Sequence, residues 1–157
     1  METCIINSPL GYTKIVGDEN GIASVLVLNS EEKISSEIPN SLKSCVKQLE
    51  EYFDGNRTSF NLKLNPQGTD FQKRVWEELL KIPFGKTVSY MDLTKKLGDV
   101  KAIRAVANAN GKNPLWIIAP CHRVIGSDGS LTGYAGGLHR KQWLLEHESP
   151  IKQQSLF

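Results

Sequence analysis

The sequence predicts an α/β (α+β) protein in two parts. A small strand-and-helix domain spans residues 1–66, and a mainly helical domain built on a winged helix-turn-helix spans residues 67–157. Three observations carry this reading. Short β-branched runs separated by Gly turns fill the first thirty residues, the apolar spacing turns helical from Ser41, and Asn65-Pro66-Gln67-Gly68 then interrupts the pattern.

In order, Thr3-Cys4-Ile5-Ile6 is a short apolar run ending at the Pro9-Leu10-Gly11 turn. Tyr12-Thr13-Lys14-Ile15-Val16 and Ile22–Leu28 flank an Asp18-Glu19-Asn20-Gly21 turn, which is a hairpin signal. Leu42, Cys45, Val46, Leu49 and Phe53 fall on one helical face, with Asn40 or Ser41 as cap and Gly55 as stop. Ser59–Leu64 alternates as one more strand. Past the boundary, Thr69 or Asp70 caps a helix that buries Phe71, Val75, Trp76, Leu79 and Leu80. Ser89-Tyr90-Met91-Asp92 has the form of a capping box for a short helix ending at Gly98, and a further helix runs from about Lys101 to Asn110.

Two helices joined by a tight Gly-containing turn make a helix-turn-helix, whose second helix is the one offered to DNA. That helix carries Arg104, Asn108 and Asn110 among small residues, a composition equally at home in a helix packed on its neighbours. Ser127-Asp128-Gly129-Ser130 reads as the hairpin tip of the wing, and Tyr134-Ala135-Gly136-Gly137 as a small-residue turn suited to close approach by a flat ligand. A last helix, Leu138 to about Glu148, buries Leu138, Trp143 and Leu144.

Composition narrows the class. Apolar content of 39% and charged content of 23% describe a globular chain, with no membrane-length apolar run and no signal-like start. The expected location is cytoplasmic. Cys4, Cys45 and Cys121 are odd in number and lack a Cys-x-x-Cys spacing, which argues against a disulfide framework or a thiolate zinc site. Residues 1–68 hold 6 Lys/Arg against 9 Asp/Glu, a net of −3, whereas residues 69–157 hold 13 against 8, a net of +5. The basic half suits a polyanion partner or an ordinary solvated surface.

The chemistry centres on Pro120-Cys121-His122-Arg123-Val124. A cysteine among apolar residues is often core packing, but an adjacent imidazole can make a thiol nucleophilic. With Gly133-Tyr134-Ala135-Gly136-Gly137, Trp143–Glu148, Gly85–Tyr90, Arg104-Ala105-Val106 and Asn110–Pro114, the chain from about Phe71 to Glu148 resembles the O6-alkylguanine-DNA alkyltransferases (methylated-DNA–protein-cysteine methyltransferases). The N-terminal residues resemble that family only in length and strand-helix order, which implies a ribonuclease-H-like domain there.

The resemblance implies single-turnover repair of double-stranded DNA. The alkyl group of O6-alkylguanine, with O4-methylthymine as a further candidate substrate, passes to Cys121 after the base is flipped out. It implies that His122 takes the thiol proton through a water, Glu148 orients His122, Asn113 holds the segment around Cys121, and Tyr90 assists the leaving guanine. Arg104 would fill the gap in the duplex, with Ala105, Arg123, Val124, Tyr134, Ala135 and Gly136 also facing DNA. It implies a monomer with no cofactor and no membrane partner. The chemistry suits these residue types, since displacement at a saturated carbon needs a soft thiolate and an anionic leaving group needs a donor.

Taken singly, Tyr90, Arg104, Asn113 and Glu148 also fit ordinary helix-start, surface, turn and exposed-carboxylate roles. Two departures matter. The first domain has no histidine, so no structural zinc is expected, and position 135 is Ala where some relatives have Ser. A non-catalytic lesion-binding winged-helix protein and a Cys-His-Glu hydrolase are the alternatives.

Overall fold

The structure is a computed structural model, and it describes residues 1–129, 134 and 136–149. It divides into two compact units, Met1–Gly68 with Pro114–Ile118, and Thr69–Asn113 with the chain from Ala119 onward.

In the first unit, β1 (Glu2–Ser8), β2 (Gly11–Asp18) and β3 (Gly21–Val27) form an antiparallel meander in the order β1-β2-β3. The register sets Cys4 opposite Ile15 and Ile15 opposite Val25, so alternate residues share the buried face. Helix α1 (Lys43–Phe53) contributes Cys45, Leu49 and Tyr52 to the same core. Its start follows a 3-10 turn at Asn40–Leu42 with no side-chain cap, because the cap positions fall at Pro39 and Leu42, which carry no side-chain acceptor; the Ser41 hydroxyl donates to Glu2 at 2.6 Å.

The strand expected at Ser59–Leu64 does not form. Gln48 accepts from the Asn61 N–H and donates to the Asn61 carbonyl, which occupies that backbone's hydrogen bonds with a side chain. Only Leu64 makes a bridge, to Ile22. Leu115 makes a second bridge, to Val25, so the outer edge of β3 is covered at two points by chain from elsewhere.

In the second unit, helix α2 (Asp70–Leu79) starts at Thr69 with a full capping box. The Gln72 N–H donates to Thr69 Oγ1 and the Thr69 N–H to Gln72 Oε1. Val75, Trp76 and Leu79 are its buried stripe, whereas Leu80 is exposed and Phe71 half-buried. The Trp76 indole N–H donates to the Ala109 carbonyl at 2.9 Å, tying α2 to the helix-turn-helix.

Helix α3 (Tyr90–Lys96) is capped by the Ser89 hydroxyl, with Asp92 in its first turn and Lys95 and Lys96 in its last, as the helix dipole favours. Gly98 turns the chain at φ +98, where a Cβ would be strained. Asp99 caps a 3-10 turn that leads into α4 (Ile103–Gly111). Strand β4 (Val88–Ser89) pairs in parallel with β5 (Val124–Ile125). Part of the expected wing, including Ser130–Gly133, and Ala135 lie outside the described residues. Helix α5 (Leu138–Glu148) keeps the expected bounds, but Leu138 at its first position is exposed. The buried residues of α5 are Arg140, Lys141, Leu144 and Glu148.

Candidate active site

Cys121, His122 and Arg123 form a single 3-10 turn after Pro120, closed by Arg123 N–H to the Pro120 carbonyl, and all three are buried. One turn of backbone therefore points a thiol, an imidazole and a guanidinium into the protein. Helix α5 delivers Glu148 to meet them. Gly85, at φ +79, lets the preceding loop pass so close that a Cβ there would lie 3.2 Å from the Glu148 carbonyl oxygen.

Glu148 is the hub. His122 Nε2 lies 2.7 Å from its Oε2, Arg123 Nε donates to Oε1 at 2.7 Å, and Arg123 Nη2 donates to Oε2 at 3.0 Å. Arg123 Nη1 donates to the Ile82 carbonyl at 2.6 Å, and the guanidinium sits 5.8 Å from the Phe84 ring. Burial pushes the Glu148 carboxyl up, but the hydrogen bonds and charges of His122 and Arg123 outweigh it and hold it down to about 2. Burial dominates at His122 and lowers its pKa, so the ring is neutral at neutral pH. An ionised carboxylate only accepts, so the His122 proton sits on Nε2 and the lone pair is on Nδ1. That Nδ1 is buried and has no protein hydrogen-bond partner among the described residues.

Burial also pushes the Cys121 thiol up, against hydrogen bonds from Asn113 and Tyr134 and the charge of Lys141, which lower it. The resting thiol is therefore protonated and needs a base beside it. Cys4 and Cys45 are buried thiols of the first unit, Cys45 pushed up to about 12 by burial, and that unit contains no histidine.

Asn113 fixes the turn-and-bend approach to the Cys121 turn by donating Nδ2 to the Ala119 carbonyl at 2.7 Å. Tyr90 opens α3, half-buried, and Asn110 Nδ2 donates to its hydroxyl at 3.4 Å. Asn110 is buried inside the unit, away from the outward face of α4. That face presents Arg104, Ala105, Ala107 and Asn108, all exposed. Tyr134 and Gly136 are half-buried, the Gly136 carbonyl accepting from Arg140.

Two expected DNA-facing residues sit elsewhere. Arg123 is buried with its donors spent on Glu148 and Ile82, and Val124 is fully buried in β5. Sequence reasoning missed Lys141, a fully buried ammonium on α5 that donates to the Val124 carbonyl at 2.7 Å. A lysine in a helix reads as a surface charge, and its one signal was its spacing from Leu144 on a common face. Among the described residues no group of three or more His, Cys, Asp or Glu is placed to hold a metal ion.

Fold and site together define a mixed α/β protein with a helix-turn-helix and, in the same unit, a buried thiol next in sequence to a buried imidazole–carboxylate pair. Family models described as 6-O-methylguanine DNA methyltransferase match the chain twice, the ribonuclease-like domain over residues 3–66 and the DNA binding domain over residues 70–150. The methylated-DNA–protein-cysteine methyltransferase of Methanosarcina acetivorans is 46% identical, the match covering 94% of this chain and 98% of that one. Its counterpart in Mycobacterium bovis is 44% identical, with 91% and 89% covered. The crystal structure of Mycobacterium tuberculosis O6-methylguanine methyltransferase superposes with a TM-score of 0.83 at 42% identity, covering 94% and 92%. A structure of the Mycobacterium tuberculosis protein in complex with DNA gives 0.83 at 43%, covering 94% of each chain. The chain belongs to the 6-O-methylguanine DNA methyltransferase family.

Proposed function

We propose that this protein repairs DNA by moving the alkyl group of O6-alkylguanine, flipped out of a duplex, onto Cys121 in a single irreversible turnover. The observation that carries this is the ordering of the buried chain. Arg123 fixes Glu148, Glu148 fixes the His122 tautomer, and the basic Nδ1 is left on the residue next to Cys121.

The Cys121 S–H proton passes to His122 Nδ1, directly or across one water, and Glu148 stabilises the imidazolium that forms. The thiolate attacks the alkyl carbon, an S–C bond forms, and the C–O6 bond breaks with its electron pair going to guanine. Tyr90 donates a proton to the departing base, and the His122 proton restores the phenol, so the sum is thiol plus alkylguanine to thioether plus guanine. Asn113 holds the Ala119 carbonyl and with it the approach to the turn. Arg104 stands on the exposed face of α4 with Ala105 and Ala107, small neighbours that allow a close approach to a groove, and it fills the space of the flipped nucleotide. Flipping costs a few kcal/mol, less at a lesion whose pairing is already weak. The half-buried Tyr134 and Gly136 flank the base-binding side, with Ala135 between them in sequence.

A thioether has no low-energy route back to a thiol, so Cys121 is consumed. Incubation with duplex DNA carrying a methyl-labelled O6-methylguanine tests the reading. Label should move to protein and stop at one equivalent. Label released to solvent with repeated turnover would indicate a hydrolase, and label remaining on bound DNA would indicate a lesion-binding protein. Either result overturns the proposal.

A further inference from the structure

We propose that Lys141 is a positioning residue of this site, a buried ammonium that sets the potential at Cys121 while tying together the groups around the alkylated base. The inference rests on the alkyl-transfer reading and extends it to a residue outside the thiol–imidazole–carboxylate chain.

The geometry is specific. The Lys141 side chain is fully buried, although a lysine is almost never so placed without a reason. Its Nζ donates to the Val124 carbonyl at 2.7 Å, one residue beyond the Cys121–Arg123 turn. The same Nζ lies 5.9 Å from the ring centroid of Tyr90 and 5.9 Å from that of Tyr134, within cation–π range of both. One charge thus contacts the backbone just past the turn that carries the thiol and lies within cation–π range of two tyrosines. Burial lowers the Lys141 pKa and raises that of Cys121, and against those larger effects each charge favours the other's ionised form.

A buried cation is costly, and the anion that forms when Cys121 ionises offsets part of that cost. The ammonium therefore gains most at the step where the thiolate attacks. The ionisable groups of the surrounding elements are Tyr90 from α3, Cys121, His122 and Arg123 from the 3-10 turn, Tyr134 from the loop before α5, and Glu148 from α5 itself. Glu148 is ionised, but its oxygens are occupied by His122 and Arg123.

The test reads the thiol without DNA. The rate of Cys121 alkylation by iodoacetamide is followed against pH in the full chain and in Lys141→Met, with Cys4 and Cys45 changed to Ala in both. The variant should show the thiol midpoint moved up by about one pH unit, with about tenfold slower reaction at neutral pH. An unmoved midpoint in a folded variant overturns the proposal. Where Lys141→Met fails to fold, the unsubstituted lysine decides. The Cε resonance of Lys141 in 13C-lysine protein should titrate with the thiol midpoint and change once Cys121 is alkylated, and a trace indifferent to both overturns the proposal. A shifted iodoacetamide profile in a protein inert toward O6-methylguanine DNA would separate this inference from the functional reading, keeping the first and refuting the second.

Discussion

Glu148→Gln isolates the buried hub with the smallest change of shape. The carboxylate receives Arg123 Nε at 2.7 Å, Arg123 Nη2 at 3.0 Å and His122 Nε2 at 2.7 Å. A carboxamide keeps one acceptor and turns its other arm into a donor, which then faces a donor on Arg123 or His122. The Arg123 charge also loses its counterion in a site where Arg123 is only 6% exposed. Breaking a buried pair in this way costs about 3–5 kcal/mol. The sign of the pH dependence follows from the same group. The Glu148 carboxyl is held down to about 2, against an ordinary 4.5, so its contribution is complete above the unfolded value and is lost as pH falls through the folded one. The lowered His122 value adds destabilisation in the same direction, because the unfolded imidazole takes up a proton first. Urea unfolding followed by tryptophan fluorescence at pH 7 and at about pH 3 measures both effects. The variant should be less stable at pH 7 by the stated amount, and its stability should fall less than that of the parent between the two pH values, by about 2 kcal/mol. A loss below about 1 kcal/mol at pH 7, or an unchanged acid dependence, would refute the hub.

Other predictions follow from single contacts. Arg104→Ala should slow alkyl transfer from duplex DNA about tenfold or more while leaving reaction with free O6-methylguanine base unchanged, since only the duplex must be opened; equal losses on both would argue against a flipping role. The same variant should reduce the slope of log affinity against log salt by about one ion. Thr69→Ala removes one half of the capping box on α2 and should cost about 1 kcal/mol in urea unfolding without altering the reaction. Trp76→Phe removes the indole donor to the Ala109 carbonyl and should cost about 1–3 kcal/mol, checked by the same unfolding curve.

Local signals made much of this fold legible. The alternation of Cys4, Ile6, Thr13, Ile15 and Val25, the Thr69 and Ser89 caps and the Gly98 turn each act over a few residues, so the sequence alone places them. The segment Ser59–Leu64 was not legible. Its alternating pattern suits a strand, but a glutamine thirteen positions before Asn61 satisfies its backbone, and no local rule reports that. In the site, the thiol-imidazole dipeptide stood out, and the resemblance supplied its partners. Arg123 and Lys141 did not stand out as interior residues. A cation reads as surface until the acceptor that permits its burial is known, and for these two the acceptors are Glu148, Ile82 and Val124.

The central claim is that Cys121 is the acceptor and is spent by the reaction. Intact mass and peptide mapping after incubation with duplex O6-methylguanine DNA test it most directly. The account predicts a gain of about 14 Da, one CH2, confined to the peptide holding Cys121, and no gain in Cys121→Ala, which still binds the DNA. Mass gained on Cys4, Cys45 or His122, or DNA repaired with the protein's mass unchanged, would contradict it.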